Sequence, residues 1–139
     1  FRRVLFRSVP DAQSVGLIQQ TIARNRKLLV IATLRQWTFE GHADAPNVLI
    51  VAASDRKGEL ISAAASATRP IDVAITVDRT SEAQDENTAA LRLASLAAGI
   101  VEKEPSLEGA ALRARLLALA QPWPNAAGNP TRAGWIKAP

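Results

Sequence analysis

The chain has 139 residues, no cysteine, 47% hydrophobic side chains and 17 basic against 13 acidic residues, a formal net charge of +4. That length accommodates one domain, and the lack of cysteine excludes disulfides and thiolate metal sites while leaving the compartment open. The apolar runs are strand-length or broken by charges, which excludes a membrane span, and no Lys/Arg cluster is interleaved with aromatics as a nucleic-acid surface requires.

The first eight residues, FRRVLFRS, read as the translation of a sequencing-library adapter joined to an open reading frame, the mark of a metagenomic fragment. They hold Arg2, Arg3 and Arg7 and no acid, so residues 9–139 carry 14 basic against 13 acidic side chains, a formal +1. The basic character therefore resides largely in the leading stretch. On this expectation residues 9–139 are the native part, the natural chain continues upstream, and any signal peptide lies there too.

Val15, Leu17, Ile18 and Ile22 fall near helical spacing, with Arg24, Arg26 and Lys27 suiting a helix C-terminus, so residues 12–25 are expected to be helical. Leu28-Leu29-Val30-Ile31-Ala32-Thr33 is a continuous apolar run, the pattern of a parallel strand covered on both faces. A loop over 34–45 contains Gly41 and the single histidine, His42, and leads to a second such strand over 48–53, bounded by Pro46 and by Asp55 to Gly58. Residues 60–67 are ambiguous, and Ile71-Asp72-Val73-Ala74-Ile75-Thr76-Val77 reads as a third strand. Residues 80–87 are polar. From Asn87 onward Leu93, Ala94, Leu96, Ala97, Ile100 and Val101 mark a buried helix that ends before Pro105. Ser106 is the expected N-cap of a further helix, Glu108 suits its positive end, and Pro122 and Pro124 stop it. The tail over 125–133 reads as loop, with Gly134-Trp135-Ile136 as a short docked strand and Trp123 and Trp135 covering the end of the core.

This order of elements resembles the C-terminal half of a subtilisin-like serine protease domain. The resemblance rests on residues 47–60, on Ile71-Asp72-Val73-Ala74, on Glu102-Lys103-Glu104-Pro105-Ser106-Leu107 and on Leu112-Arg113-Ala114-Arg115-Leu116-Leu117. It spans residues 11–136. It implies a three-layer α/β sandwich on a mainly parallel sheet, present here in part, with the catalytic Asp and His in the other half of the domain. An incomplete sheet of that kind would leave an unpaired edge and limit solubility. It further implies a peptide or protein substrate or ligand, no cofactor, no metal, no nucleic acid and no membrane, in a secreted or periplasmic protein.

The resemblance also implies a chemical defect. The family's nucleophile lies in Gly-Thr-Ser at the start of the Ala-rich helix, where the helix terminus and backbone N–H groups stabilise an oxyanion. Counting back from Pro105 places Asp85-Glu86-Asn87 there, and the Asn87 amide nitrogen is delocalised and cannot attack a carbonyl. The alternative nucleophile is Ser81 in Thr80-Ser81-Glu82-Ala83, although Ser81 with Gln84 is also a capping-box pattern. The family's oxyanion asparagine, in Ala-Ala-Gly-Asn, is replaced by Arg35 in Ala32-Thr33-Leu34-Arg35, and loss of such a donor costs about two to three orders of magnitude in rate. Ala74-Ile75-Thr76 stands in place of Ala-Pro-Gly. Together these point to a catalytically impaired domain with a peptide-binding or structural role. The alternatives are an active endopeptidase using Ser81, or an unrelated α/β domain that binds a nucleotide or a partner.

The remaining polar residues carry weaker signals. His42, in Glu40-Gly41-His42, reads as a solvated loop residue, and Asp85-Glu86 as helix N-terminal charge rather than metal ligands. Asp55, at a strand end, could touch a ribose, but the glycine-rich phosphate loop that chemistry needs is absent. Trp37 and Phe39 beside Arg35 form either a recognition loop or, more simply, packing against the sheet.

Overall fold

The computed structural model describes residues 12–33, 45–61, 71–78, 80–122 and 131–137. In chain order these form α1 (Ala12–Arg24), β1 (Val30–Thr33), β2 (Val48–Ser54), β3 (Ile71–Thr76), α2 (Glu82–Lys103), α3 (Gly109–Leu117) and β4 (Thr131–Ile136). The strands make one sheet in the order β1-β2-β3-β4, and every neighbouring pair is parallel.

Every residue of β2 is buried, which is why its sequence is apolar from Val48 to Ala53 rather than alternating, with Ser54 its one polar side chain. Its side chains still divide by parity. Leu49, Val51 and Ala53 enter the main core with Leu93 and Ala97 of α2 and Leu112 and Leu116 of α3. Val48 and Ile50 meet Ile22 of α1 on the opposite face, together with Val30 and Ala32. The chain is therefore an α/β fold with helices on both faces of a parallel sheet.

The buried Asn47 ties the α1 layer down, donating from Nδ2 to the Ile22 and Asn25 carbonyls at 3.2 and 3.4 Å and so satisfying groups that a helix end leaves open. The other layer is anchored by charge. Backbone pairing of β2 with β3 begins at Val51, so the Ile50 N–H and the Val48 carbonyl need other partners. Asp72, 1% exposed, accepts from the Ile50 N–H at 2.8 Å through Oδ2. Arg113 of α3 donates to the Val48 carbonyl from Nε and to Asp72 Oδ1 from Nη2, both at 2.7 Å. One ion pair thus continues the ladder with side chains and joins α3 to two strands.

The expected helix over 12–25 and the three expected strands are present within two residues of their expected ends. Three boundaries differ. α2 begins at Glu82, five residues before Asn87, because its first turn is built from polar, helix-compatible residues and apolar periodicity marks only where a helix meets the core. α3 begins at Gly109 with Glu108 as its N-cap, not Ser106, since residues 105 and 106 form the turn out of α2. It ends at Leu117, ahead of the prolines, because Gln121 must leave the helix to exchange both backbone hydrogen bonds with Trp135, at 2.8 and 2.9 Å. β4 takes in residues 131–133, which read as loop in the sequence.

Two glycines make these junctions possible. Gly109 has φ +47° and donates to the Lys27 carbonyl, and a Cβ there would lie 1.8 Å from the Arg26 carbonyl oxygen. Gly134, at φ +111°, would place a Cβ 2.2 Å from the Gln121 carbonyl oxygen. Gly109→Ala is expected to lose at least ~2 kcal/mol in urea denaturation, from strain and backbone overlap together. Gly99→Ala, in α2 with open space around it, is expected to gain ~0.5–1 kcal/mol from helix propensity. Equal effects at the two positions would contradict the close approach at Gly109.

Candidate functional site

In open parallel sheets, ligands collect beyond the carboxyl ends of the strands, where the chain turns from strand to helix. Here that region comprises the turn after β2, the segment after β3 and the first turns of α2.

The turn after β2 is self-contained. Asp55 Oδ1 accepts from the Lys57 and Glu59 N–H groups at 2.8 and 2.9 Å, and the chain folds back so that Leu60 bridges Ser54 antiparallel. The Asp55 carboxylate is thus engaged in holding its own turn, which leaves little for a ribose. Beside it Arg56 donates to Asp78 Oδ1 at 2.9 Å, and Arg92 of α2 approaches Asp78 Oδ2 at 3.5 Å while also donating to the Thr76 carbonyl. The hydrogen bond from Arg56, then its charge, hold the Asp78 carboxyl below its ordinary value, with Arg92 adding to the effect.

Ser81 is the N-cap of α2, with extended φ −138° and ψ 153°, and is exposed. Its carbonyl accepts the first helical bond, from the Asp85 N–H at 2.8 Å, but its side chain makes no capping hydrogen bond, so the capping box suggested by Ser81 and Gln84 does not form. Asp85 organises the entry instead: Oδ1 accepts from the Thr80 N–H at 2.9 Å and the Thr80 hydroxyl at 3.0 Å. Asp85 and Glu86 are both buried, so they are structural members of the helix start rather than a solvated charge pair.

Asn87 is exposed and is the sixth residue of α2. Only the first four N–H groups of a helix are free to meet a ligand, so Asn87 sits inside the helical ladder and not at its terminus. Arg35, Trp37, Phe39, His42 and Trp123 lie outside the described residues. Trp135 does seal one end of the sheet: it is 7% exposed, and its Nε1 donates to Thr76 Oγ1 at 2.9 Å.

Among the described residues no group of three or more His, Cys, Asp or Glu is placed to hold a metal ion, and no helix is long and apolar enough to cross a membrane. No protein-family model, curated protein or solved structure matches the chain.

The sequence reading passed over the Asp72–Arg113 pair and the Arg56–Asp78–Arg92 cluster. A signal for the first was present, since an aspartate inside Ile71-Asp72-Val73 must find a donor if the strand is buried. The second joins three exposed or half-exposed side chains that no local pattern links.

Because the Asp78 carboxyl is depressed in the folded chain, the stability it confers is present above the ordinary carboxylate value of 3.8 and lost as pH falls through the lower folded value. Asp78→Asn should therefore melt below the parent at neutral pH and low salt, and the difference should close at strongly acid pH and at high salt. Asp85→Ala should cost ~1–2 kcal/mol by releasing the Thr80 donors. A gap for Asp78→Asn that widens on acidification would contradict the assigned pairing.

Proposed function

We propose that the chain is the C-terminal part of a subtilisin-like domain that has lost acyl-transfer chemistry and serves as a peptide-binding or structural module. The observation that carries this reading is Asn87. It occupies the position that counting back from Pro105 assigns to the nucleophile, its amide is not nucleophilic, and that position lies inside α2, where its N–H can serve no oxyanion site, rather than at the helix start. Three of the four segments of the resemblance, by contrast, lie in the sheet or in the helix packed on it. Residues 47–60 supply β2 and its turn, Ile71 to Ala74 supply β3, and Leu112 to Leu117 supply α3, joined by Asp72 and Arg113.

One observation favours a second reading, an active endopeptidase. Ser81 is the residue at the α2 N-terminus, exposed, with a hydroxyl not committed to capping and the free N–H groups of the first turn beside it. Against an unrelated nucleotide-binding domain stands the Asp55 carboxylate, whose Oδ1 holds its own turn through the Lys57 and Glu59 N–H groups.

Exposure of the full-length protein, including the half of the domain expected to hold the catalytic Asp and His, to a fluorophosphonate serine probe distinguishes the two peptidase readings. The scaffold reading predicts no covalent labelling, and Asn87→Ala unchanged in stability within ~0.5 kcal/mol because the side chain is exposed. Labelling that disappears in Ser81→Ala would overturn the scaffold reading in favour of the Ser81 enzyme.

A further inference from the structure

α2 and α3 pack on β1, β2 and β3, and beyond the flank of α2 the sheet continues to β4. The step between them leaves a groove of about 450 Å³. Ile75 of β3 and Ile136 of β4, both buried, line its floor. Its wall is formed by Leu91 and Leu96 of α2, which are 49% and 37% exposed and are two of the four large apolar side chains left exposed among the described residues. The volume is that of a small-molecule site, and such sites combine apolar walls with a few fixed polar groups.

The charge at the rim is of one sign. Arg92 and Lys137 line the groove and, among the described residues, no acidic residue does. Arg92 is already engaged, donating to the Thr76 carbonyl and approaching Asp78. Lys137 follows Ile136 at the end of β4, is exposed, and has no ion-pair partner among the described residues.

We infer that this groove binds an aliphatic carboxylate, the chain lying between Leu91, Leu96, Ile75 and Ile136 and the carboxylate meeting Lys137. The inference is independent of the peptidase resemblance, since none of these residues belongs to the candidate nucleophile positions. An apolar chain gains about fourfold in affinity per methylene buried, so affinity must depend on chain length until the groove is filled. The headgroup must matter through the Lys137 charge, in a salt-dependent way.

Calorimetric titration of the full chain with octanoate, decanoate, dodecanoate and dodecanol, each below its micelle concentration, tests this. Affinity should rise about fifteenfold with each two carbons among the acids, and dodecanoate should bind several-fold more tightly than dodecanol. Lys137→Gln should erase the difference between acid and alcohol. Leu91→Asn, at an exposed position whose replacement leaves the core intact, should weaken dodecanoate at least tenfold with an unchanged circular dichroism spectrum. Absence of saturable binding, equal affinity across chain lengths, or a Lys137→Gln variant that still prefers the acid would overturn the inference. So would a concentration-dependent dimer abolished by Leu91→Asn in sedimentation velocity, which would assign the groove to a second copy of the chain.

Discussion

The described structure depends on a charge inside its sheet. Asp72 sits in β3 with 1% of its surface exposed, and a carboxylate so placed is tolerable only when its oxygens are hydrogen-bonded and its charge is met. Both conditions hold: one oxygen takes the Ile50 N–H and the other the Arg113 guanidinium. Arg113 adds a bond to the Val48 carbonyl. Four otherwise separate obligations, two ladder groups and two charges, are discharged in one arrangement. Its geometry fixes where β3 starts to pair with β2 and how α3 lies against them, and Leu112 and Leu116, flanking Arg113, go into the core on either side of it.

Much of this architecture was legible from residue order. The first three strands announce themselves because a parallel strand buried on both faces is predominantly apolar, with small hydroxyls only at the carboxyl ends (Thr33, Ser54, Thr76), and the buried charge, Asp72, marks the place where a distant donor was needed. That donor, 41 residues away on a helix, has no local signature. The start of α2 was obscured because its first turn holds polar and charged residues, two of them buried by bonds or packing that the apolar period does not register. β4 was underestimated since Thr131-Arg132-Ala133 is neither apolar nor alternating, and its strand conformation follows from pairing with β3 and from the backbone exchange between Trp135 and Gln121.

The candidate site divides along the same line. Its strands were visible in the sequence, whereas the helix start at Ser81 was expected six residues later, at Asn87. Its local wiring was not visible. Asp85 rather than Ser81 holds the helix entry, and at the carboxyl end of β3 the single Asp78 carboxylate is shared between the Arg56 and Arg92 guanidinium groups. The result is a strand-to-helix junction held by carboxylate hydrogen bonds, with Asn87 turned to solvent one and a half turns further on. None of the hydrogen bonds or packing that hold this junction depends on a reactive group, which is what the proposed scaffold role requires.

The account stands most directly on whether Asp72 and Arg113 act as a unit. A double-mutant cycle with Asp72→Asn, Arg113→Met and the combined variant, measured by urea denaturation of the full chain, gives that coupling. Each single variant should lose ~3 kcal/mol because it strands a buried partner, and the double variant should lose less than their sum by ~1.5–3 kcal/mol. Losses that add to within ~0.5 kcal/mol would contradict the claim that this pair organises the sheet and the helix above it.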